Sequence, residues 1–413
     1  MLDWANQYNI CCFLDNNHYS STYNQYEAML AAGAIATLSC NAGTAFSQLQ
    51  QFYNTQADWL FGHLGYDLKN EVFPGMTSGN ADGLDMPDLF FFRPEVVLLL
   101  KGNEVSIGGW NMEQPAAAAI FAALQQTPVH SVSKAVSNTE ITAHMDREQY
   151  IQSVRALQEH IHRGDCYEVN FCRENFIRDT DAYPQELFRR LNKLSPAPFS
   201  AYYHFDDKYL VCSSPERFIQ KKGPLLISQP IKGTIKRDGD VLKDKARKLE
   251  LLHNSKERAE NVMVVDLVRN DLSHTALQGT VQVAELFGIY SFAQVHHMIS
   301  TVTAMPDPTL PLTEPVKQAF PMGSMTGAPK KRVLELIEQY EQSKRGLYAG
   351  AVGYFTPDGD FDFNVVIRSI LYNAGNRFLS FQTGSAITYY ASAEQEWEEC
   401  LLKAAAMKKI ITA

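Results

Sequence analysis

Short strand-like runs separated by tight-turn signals recur in two parts of the chain, and they constrain the fold more than any other feature. Turns such as Asp358-Gly359 favour antiparallel pairing of neighbouring strands. Segments with helical spacing stand apart from the strands, so the pattern predicts an α+β fold and not a βαβ array. Asp146 is placed to cap the first predicted helix and Gly164 to end it. The predicted strands cover residues 167–171, 201–205, 209–213, 225–229, 350–355, 361–370 and 378–382, and the predicted helices cover residues 146–164, 241–269, 329–342 and 393–411.

Length and composition indicate one large folded unit. The 413 residues are 45% hydrophobic, and no Gly/Ser-rich linker, charge run or fixed-period repeat divides them. A polar stretch at residues 125–144 is the one soft boundary. It separates an N-terminal subregion, residues 1–125, from a region of denser motifs, residues 145–413.

The charge balance and apolar runs limit the classes of partner. The formal net charge is −9 without a basic stretch, so nucleic acid is not an expected partner. The N-terminus lacks a signal-peptide pattern, and the longest apolar runs, residues 96–100 and 116–124, are too short to span a bilayer. The seven cysteines form no CxxC pair. These features predict a cytoplasmic protein with free thiols and no membrane partner.

Two predicted helices each carry a pair of glutamates spaced i, i+3, which places both carboxylates of a pair on one face. Glu257 and Glu260 form the first pair, and Glu396 and Glu399 form the second, where Lys403 continues the same face. Brought together, the two helices would offer only oxygen ligands, which suit a hard cation such as Mg²⁺ better than zinc. Each pair taken alone also fits an ordinary solvated helix face.

Lys232 lies in the sequence QPIKGT, where proline and glycine predict a turn directly after an apolar strand. A lysine amine becomes nucleophilic when burial or neighbouring cations lower its pKa, and Lys236 and Arg237 are close to it in sequence. Lys232 is therefore a candidate nucleophile, and an ordinary surface lysine is the alternative.

Two further features are suited to an anion. Residues 323–330, GSMTGAPK, form a glycine-bearing loop before a helix that Pro329 can begin, and free N–H groups at a helix start favour an anion. The loop does not match GxxxxGK[ST], so a carboxylate is as compatible as a nucleotide phosphate. Arg368 is predicted on the polar face of the strand at residues 361–370, where it would clamp a carboxylate or lie at an exposed edge.

A series of motifs runs from about residue 145 to the C-terminus: RGDCYEVNFC (163–172), SSPERF (213–218), QPIKGTIKR (229–237), KERAENVMVVDLVRNDL (256–272), VHHMIST (295–301), FPMGSMTGAPKKR (320–332), YAGAVGYF (348–355), DFNVVIRS (362–369), GSAI and EQEWEECLLKA. Together they resemble the chorismate-utilising enzymes, the family of anthranilate synthase component I and aminodeoxychorismate synthase component I. The resemblance implies the fold of anthranilate synthase component I, a large, mostly antiparallel β-sheet sandwich flanked by helices. Residues 1–125 match only loosely, so there the resemblance implies architecture and no sites.

The resemblance also narrows the reaction. Anthranilate synthases typically read PIAGT, whereas the aminodeoxychorismate synthases that use covalent catalysis read PIKGT, as residues 230–234 do. The implied activity is the conversion of chorismate and ammonia to 4-amino-4-deoxychorismate, for 4-aminobenzoate and folate biosynthesis. The alternatives are the anthranilate synthase reaction and, in another class, a non-catalytic scaffold for a glutaminase subunit.

The resemblance assigns roles residue by residue. Lys232 would attack C2 of chorismate while Glu216 protonates the departing C4 hydroxyl, and His297, beside His296, matches the family's site histidine. The implied Mg²⁺ ligands are Glu260 and Glu399, supported through water by Glu257 and Glu396. The implied substrate-binding residues are Gly233, Thr234, Thr326, Tyr348, Arg368, Gly384, Ser385, Ala386 and Lys403.

Glu168 departs from the family's pattern, because many aminotransferring relatives have glutamine there. A carboxylate beside a dianionic substrate is repulsive unless it is protonated or turned away. The source of ammonia is a separate matter: no cysteine lies in the G-x-C-x-G setting of a class I glutaminase. A separate glutamine amidotransferase subunit is therefore the expected partner.

Overall fold

The computed structural model describes residues 1–19, 22–129 and 132–413, so residues 130 and 131 of the expected boundary stretch lie outside the described residues. The described residues form two large β-sheets with helices packed on them. The strands are β1 (Ile10–Asp15), β2 (Ala28–Ala32), β3 (Ala36–Cys40), β4 (Leu60–Leu64), β5 (Leu89–Arg93), β6 (Val96–Lys101), β7 (Glu104–Gly109), β8 (Thr142–Ala143), β9 (Glu168–Ile177), β10 (Phe199–Phe205), β11 (Lys208–Ser214), β12 (Arg217–Lys222), β13 (Leu225–Gln229), β14 (Ile231–Lys236), β15 (Gln282–Ser291), β16 (Val295–Ala304), β17 (Gly327–Ala328), β18 (Ala351–Phe355), β19 (Phe361–Asn364), β20 (Ser369–Asn373) and β21 (Phe378–Thr388).

The helices alternate irregularly with these strands along the chain. Two short 3₁₀ helices cover Tyr66–Leu68 and Gly323–Met325. No helix of the described residues is both long and apolar enough to cross a membrane. The α-helices are α1 (Leu2–Ala5), α2 (Ala45–Thr55), α3 (Lys69–Val72), α4 (Gln114–Gln126), α5 (Arg147–His162), α6 (Pro184–Leu194), α7 (Val241–His253), α8 (Ser255–Ser273), α9 (Glu314–Ala319), α10 (Lys330–Tyr340) and α11 (Ala393–Thr412).

The two sheets contain strands from both halves of the chain, and their strand pairs are antiparallel. The first sheet has the order β17-β9-β21-β20-β11-β10-β1-β2-β6-β7, and β8 also pairs with β9. The second has the order β14-β16-β13-β12-β19-β18-β4-β5-β3, and β15 also pairs with β16. Strands from residues 1–125 therefore complete both sheets. The prediction of a large, antiparallel α+β sandwich is confirmed.

Alternating side chains of the first sheet enter different cores. Cys12 joins a core that includes Phe61 and Phe91 of the second sheet, whereas its neighbour Cys11 joins a core that includes Phe188 of α6. This division follows from the two-residue period of a strand. Every residue of β9 is buried, because the sheet is covered on both faces.

Local capping explains where the sequence-predicted helices begin and end. Asp146 caps α5 as predicted, since its side chain accepts a hydrogen bond from Gln149 N at 2.9 Å. The single helix predicted at residues 241–269 is wrong, because α7 and α8 are separate helices. Asn254 interrupts them with an extended backbone, and its side chain accepts a hydrogen bond from Glu257 N at 3.1 Å. That cap favours a new helix start over a continuous helix.

The strand predicted at residues 361–370 is also wrong. β19 belongs to the second sheet and β20 to the first, so the chain crosses between sheets within this segment. Arg368 lies in the crossing with a φ of 52° and therefore not on the polar face of a strand. Alternation over ten residues does not distinguish one long strand from two strands joined by a short crossing.

Candidate active site between the sheet edges

Lys232 lies where the edges of the two sheets meet. Strand β14 is the edge of the second sheet, and β9 lies next to the edge of the first. The Lys232 Nζ donates a hydrogen bond to Oε1 of Glu168, the first residue of β9, at 2.6 Å. The two side chains are only 9% and 2% exposed. This ion pair joins the sheets, and the cleft around it is the candidate active site.

A β-bulge directs Lys232 into this cleft. Ile231 pairs with Ile299 and Thr234 with His297, so β14 has one more residue than β16 between these pairs. Gly233 has a φ of 92°, which glycine adopts without the strain of a side chain. A Cβ at Gly233 would also lie 3.1 Å from Oε2 of Glu257. The turn predicted around Lys232 is therefore a bulge within a strand.

The electrostatic surroundings of Lys232 are opposite to those expected from sequence. Burial by itself would lower the pKa of Lys232, but Glu168, Glu260 and Glu216 together raise it above its usual value. The expected effect of neighbouring cations is wrong: Lys236 is exposed, and Arg237 Nη2 donates to Asp244 at 2.9 Å. Lys232 is therefore a charged ammonium group in a pocket of carboxylates.

Glu216 lies just before β12 and is 5% exposed. Its backbone N–H donates to the Ser214 hydroxyl at 3.2 Å, which fixes the turn. Burial raises the pKa of Glu216 to about 7, against the opposing effects of Ser324 and Lys232. A carboxyl group with this pKa keeps its proton in much of the population at neutral pH, so it is suited to general acid catalysis.

The two adjacent histidines of β16 point in opposite directions. The Nδ1 of His297 shares a hydrogen bond with the Thr234 hydroxyl at 2.7 Å, on the side of the cleft. The Nε2 of His296 contacts Asp244 at 2.9 Å, outside it. Burial, followed by the charge of Arg368, lowers the pKa of His297 to about 3. His297 is therefore neutral and, between the two, the histidine of the cleft.

The four predicted metal-binding glutamates lie on α8 and α11, beside the cleft. Burial raises the pKa of Glu257 and Glu396, and it raises that of Glu260 to about 7. Glu396 is only 4% exposed, so its helix face is not simply solvated. The charge of Glu399 further raises the pKa of both Glu257 and Glu396. The carboxylates of the two helices therefore lie close enough to change each other's pKa.

The chemistry of these four carboxylates suits a hard divalent cation. The donors are all oxygens, as Mg²⁺ prefers. Two lysines offset part of the negative charge: Lys403 donates to Glu399 at 2.6 Å, and Lys256 lies 3.7 Å from Glu260. Despite burial, Lys403 and the other nearby lysines lower the pKa of Glu399, whereas burial keeps the pKa of the other three glutamates raised. In residues 1–19, 22–129 and 132–413, no three acidic, histidine or cysteine side chains are arranged as a ready metal site.

Several predicted substrate-binding residues face the same cleft. Burial and the charge of Arg368 lower the pKa of His297, and burial lowers the pKa of Arg368 against the opposing charge of Glu399. The Nζ of Lys403 donates to Gly384 O at 2.8 Å. Gly384 and Ala386 lie on β21, where they pair with Cys172 and Asn170 of β9.

The hydroxyl groups of two predicted binding residues have hydrogen-bond partners within the protein. The Ser385 hydroxyl shares a hydrogen bond with the Tyr150 hydroxyl of α5 at 2.9 Å. The Thr326 hydroxyl donates to Met322 O at 3.1 Å, within its own loop. The Ser385 hydroxyl also interacts with the carboxylate of Glu396, one of the four glutamates beside the cleft.

The sequence interpretation missed a brace behind the cleft. Arg345 is fully buried, and its guanidinium donates to Met325 O, to Asn170 O and to both carboxylate oxygens of Glu341 at 2.6–2.9 Å. Glu341 also accepts from Cys172 N at 2.8 Å. The brace ties β9 to the loop at residues 322–328. Its only sequence signal is an acidic–basic pair spaced i, i+4, which is usually a surface feature.

Comparisons with known proteins agree with this fold. The anthranilate synthase component I of Streptococcus pneumoniae superposes with a TM-score of 0.81 over 94% of this chain and 93% of its own, at 23% identity. Menaquinone-specific isochorismate synthase of Escherichia coli has a TM-score of 0.78, covering 99% and 91%, at 18% identity. These similarities establish the fold.

Sequence relatives are more similar. The aminodeoxychorismate synthase component 1 of Klebsiella aerogenes is 34% identical over 82% of this chain and 74% of its own. The corresponding protein of Bacillus subtilis is 32% identical, over 85% and 76%. The family model described as chorismate binding enzyme matches residues 11–409. The chain therefore belongs to the chorismate-binding enzyme family.

Proposed function

We propose that this chain catalyses the aminodeoxychorismate synthase reaction, the conversion of chorismate and ammonia to 4-amino-4-deoxychorismate. Two relatives named for this activity are more than 30% identical over most of both chains. The observation that carries the proposal is the buried Lys232, which a bulge directs into the cleft beside the acid Glu216.

In the proposed first step, the neutral amine of Lys232 forms a bond to C2 of chorismate. The ring double bond shifts, the C4–O bond breaks, and Glu216 gives its proton to the departing hydroxyl, which leaves as water. In the second step ammonia bonds to C4, and the C2–N bond breaks to release Lys232. The new ammonium group at C4 returns one proton to Glu216. Chorismate and ammonia thus yield 4-amino-4-deoxychorismate and water.

The cations of the cleft suit a substrate with two carboxylates. We assign Arg368 and Lys403, with the hydroxyl of Tyr348, to binding these carboxylates. His297 is neutral, so its proposed role is to orient the substrate or accept a proton. The backbone near the bulge and on β21 completes the binding surface, through Gly233, Thr234, Thr326, Gly384, Ser385 and Ala386.

Mg²⁺ would be held by Glu260 and Glu399, with Glu257 and Glu396 in support, and when bound it would neutralise a substrate carboxylate and polarise the ring. Ammonia would come from a separate glutamine amidotransferase subunit. The "component 1" in the names of the relatives supports a second component for this chain.

The test uses the purified chain with chorismate, Mg²⁺ and an ammonium salt. An added aminodeoxychorismate lyase should convert the product to 4-aminobenzoate, which chromatography detects. Direct release of anthranilate would overturn the proposal in favour of the anthranilate synthase reaction. An inactive chain that still stimulates a glutaminase would support a scaffold instead.

The lysine step has a matched pair of variants. Lys232→Ala should abolish the covalent adduct that intact-mass spectrometry detects. It should also lower the turnover rate by at least about 10³-fold, because loss of a catalytic nucleophile can cost about 10⁶-fold. Lys236→Ala removes an exposed lysine of the same strand and should leave both readouts unchanged. Equal turnover by the two variants would mean that ammonia attacks without the lysine.

A further inference from the structure

Glu168 is the carboxylate in ion-pair contact with the proposed nucleophile, and the reaction as written gives it no role. Its Oε1 accepts from Lys232 Nζ at 2.6 Å. Its Oε2 is buried and has no hydrogen-bond partner among the described residues. Buried carboxylate oxygens are usually satisfied, so an unpaired one beside a reactive group requires an explanation.

The backbone holds Glu168 rigidly in place. It pairs with Thr388 of β21 on one side and Ala328 of β17 on the other. A Cβ at Gly327 would lie 2.0 Å from Glu168 O, so β17 packs directly against it. The carboxylate is therefore presented to Lys232 by a strand with neighbours on both sides, not by a mobile loop.

We propose that Glu168 is the base that takes the proton from the Lys232 ammonium group and thereby frees the amine for attack on C2. This inference rests on the proposed function. The N–H bond of Lys232 breaks, its electron pair stays on nitrogen, and the proton forms a bond to Oε1 of Glu168. Lys232 and Glu168 become a neutral amine and a neutral carboxyl group. When the C2–N bond breaks after ammonia addition, Glu168 returns the proton.

The arrangement favours Glu168 over the other carboxylates that face Lys232. These are Glu216 before β12, Glu257 and Glu260 on α8, and Glu399 on α11. Among the described residues, only Glu168 is in ion-pair contact with Nζ. Glu216 already has the opposite task, because it must give a proton to the leaving hydroxyl. Transfer to Glu168 also converts two buried charges to neutral groups without changing the net charge of the pair, so it removes their desolvation cost.

The experiment compares Glu168→Gln with Glu174→Gln, which makes the same change to another buried carboxylate of β9. Glu174 contacts Ser380 and His144, not Lys232. Rapid quenching and intact-mass spectrometry give the rate of adduct formation with chorismate and Mg²⁺, from about pH 6 to about pH 9, which spans the range in which general acids and bases act. A binding titration with chorismate accompanies each variant.

We expect Glu168→Gln to form the adduct about 10²-fold more slowly than the wild type at neutral pH, the lower end of the general-base range. The ratio of the wild-type rate to the variant rate should fall about tenfold for each unit of rising pH. In the variant the Lys232 ammonium group must lose its proton to solvent, which becomes easier as the pH rises. Chorismate affinity should not fall, because the variant loses a negative charge beside a dianionic substrate. Glu168→Asp keeps a carboxylate and should retain the wild-type pH profile at a reduced rate. Glu174→Gln should match the wild type.

Three results would overturn the inference. A Glu168→Gln rate equal to or above the wild-type rate at neutral pH would show that Glu168 only holds Lys232 protonated. A wild-type pH profile in this variant would exclude proton transfer to Glu168. A wild-type chain that forms aminodeoxychorismate without any adduct would also reject the inference, while the proposed function, measured by product, would stand.

Discussion

Two buried ion pairs lie beside β9, and they differ in how completely their polar atoms are satisfied. Arg345 and Glu341 contact each other through two hydrogen bonds and reach the backbone at Met325, Asn170 and Cys172. Lys232 and Glu168 share one hydrogen bond.

The Lys232–Glu168 pair, whose polar atoms are not all satisfied, differs in its properties from the fully hydrogen-bonded Arg345–Glu341 pair. Additional carboxylates surround Lys232, and one oxygen of Glu168 lacks a partner among the described residues. A saturated pair fixes backbone segments and is costly to break. A pair with free hydrogen-bonding capacity costs stability but can exchange protons and receive a ligand. We infer that the Arg345 pair builds the cleft and that the Lys232 pair acts in it.

Breaking the saturated pair should have the largest effect on stability. Arg345→Met leaves Glu341 buried without its cation, so the free energy of unfolding should fall by about 3–5 kcal/mol. Arg332→Met removes the exposed Arg332–Glu335 pair of α10, the helix that precedes Glu341, and should cost less than about 1 kcal/mol. Denaturant unfolding measures both variants. Equal losses would show that the brace is no more important than a surface pair.

Replacing Glu216, the acid near the Lys232–Glu168 pair, should lower the turnover rate without lowering the stability of the fold. Glu216→Gln keeps the shape of the side chain but removes its proton-donating group. We expect a fall of about 10²-fold in turnover, or roughly 2.7 kcal/mol, with no loss in the free energy of unfolding. Steady-state kinetics and denaturant unfolding provide the two readouts. Full activity would mean that another group protonates the leaving hydroxyl.

The same acid should make stability depend on pH. The pKa of Glu216 is raised from 4.5 to about 7, so between these values the folded state binds more protons than the unfolded state. Its contribution to stability is full below about pH 4.5 and is lost as the pH rises through about 7. Glu216→Gln should reduce the downward slope by at most about 1.4 kcal/mol per pH unit. The free energy of unfolding is measured across this pH range for both proteins. An equal slope in the wild type and in Glu216→Gln would contradict the raised pKa of Glu216.

The bulge offers the smallest and most local test. Gly233→Ala should lower the free energy of unfolding by about 1 kcal/mol, because alanine is strained at positive φ. Gly75→Ala is the matched control, since its φ is 93° and no atom lies within 4 Å of the added Cβ. Only Gly233→Ala should also slow turnover, since its Cβ would meet Glu257. Equal turnover in both variants would show that the position of Lys232 does not depend on the exact geometry of the bulge.

Much of the secondary structure could be predicted from sequence because its signals are local. Asp146 and the apolar spacing after it were sufficient for α5. The break at Asn254 also had a local signal, a capping residue inside a helical pattern, but periodicity concealed it. The crossing near Arg368 had no such signal, because only the pairing of β19 and β20 with different sheets reveals it.

The amino-acid sequence was enough to predict which chemical groups are available: a lysine next to a glycine, two helices with paired carboxylates, and an antiparallel α+β pattern. Residue type and spacing are sufficient for these. Tertiary structure decided which groups meet. Glu168 and Lys232 are 64 residues apart in the chain, yet they form the ion pair at the cleft. The protonation of Lys232 depends on distances through space, so neighbours in sequence, Lys236 and Arg237, led to the wrong direction for its pKa.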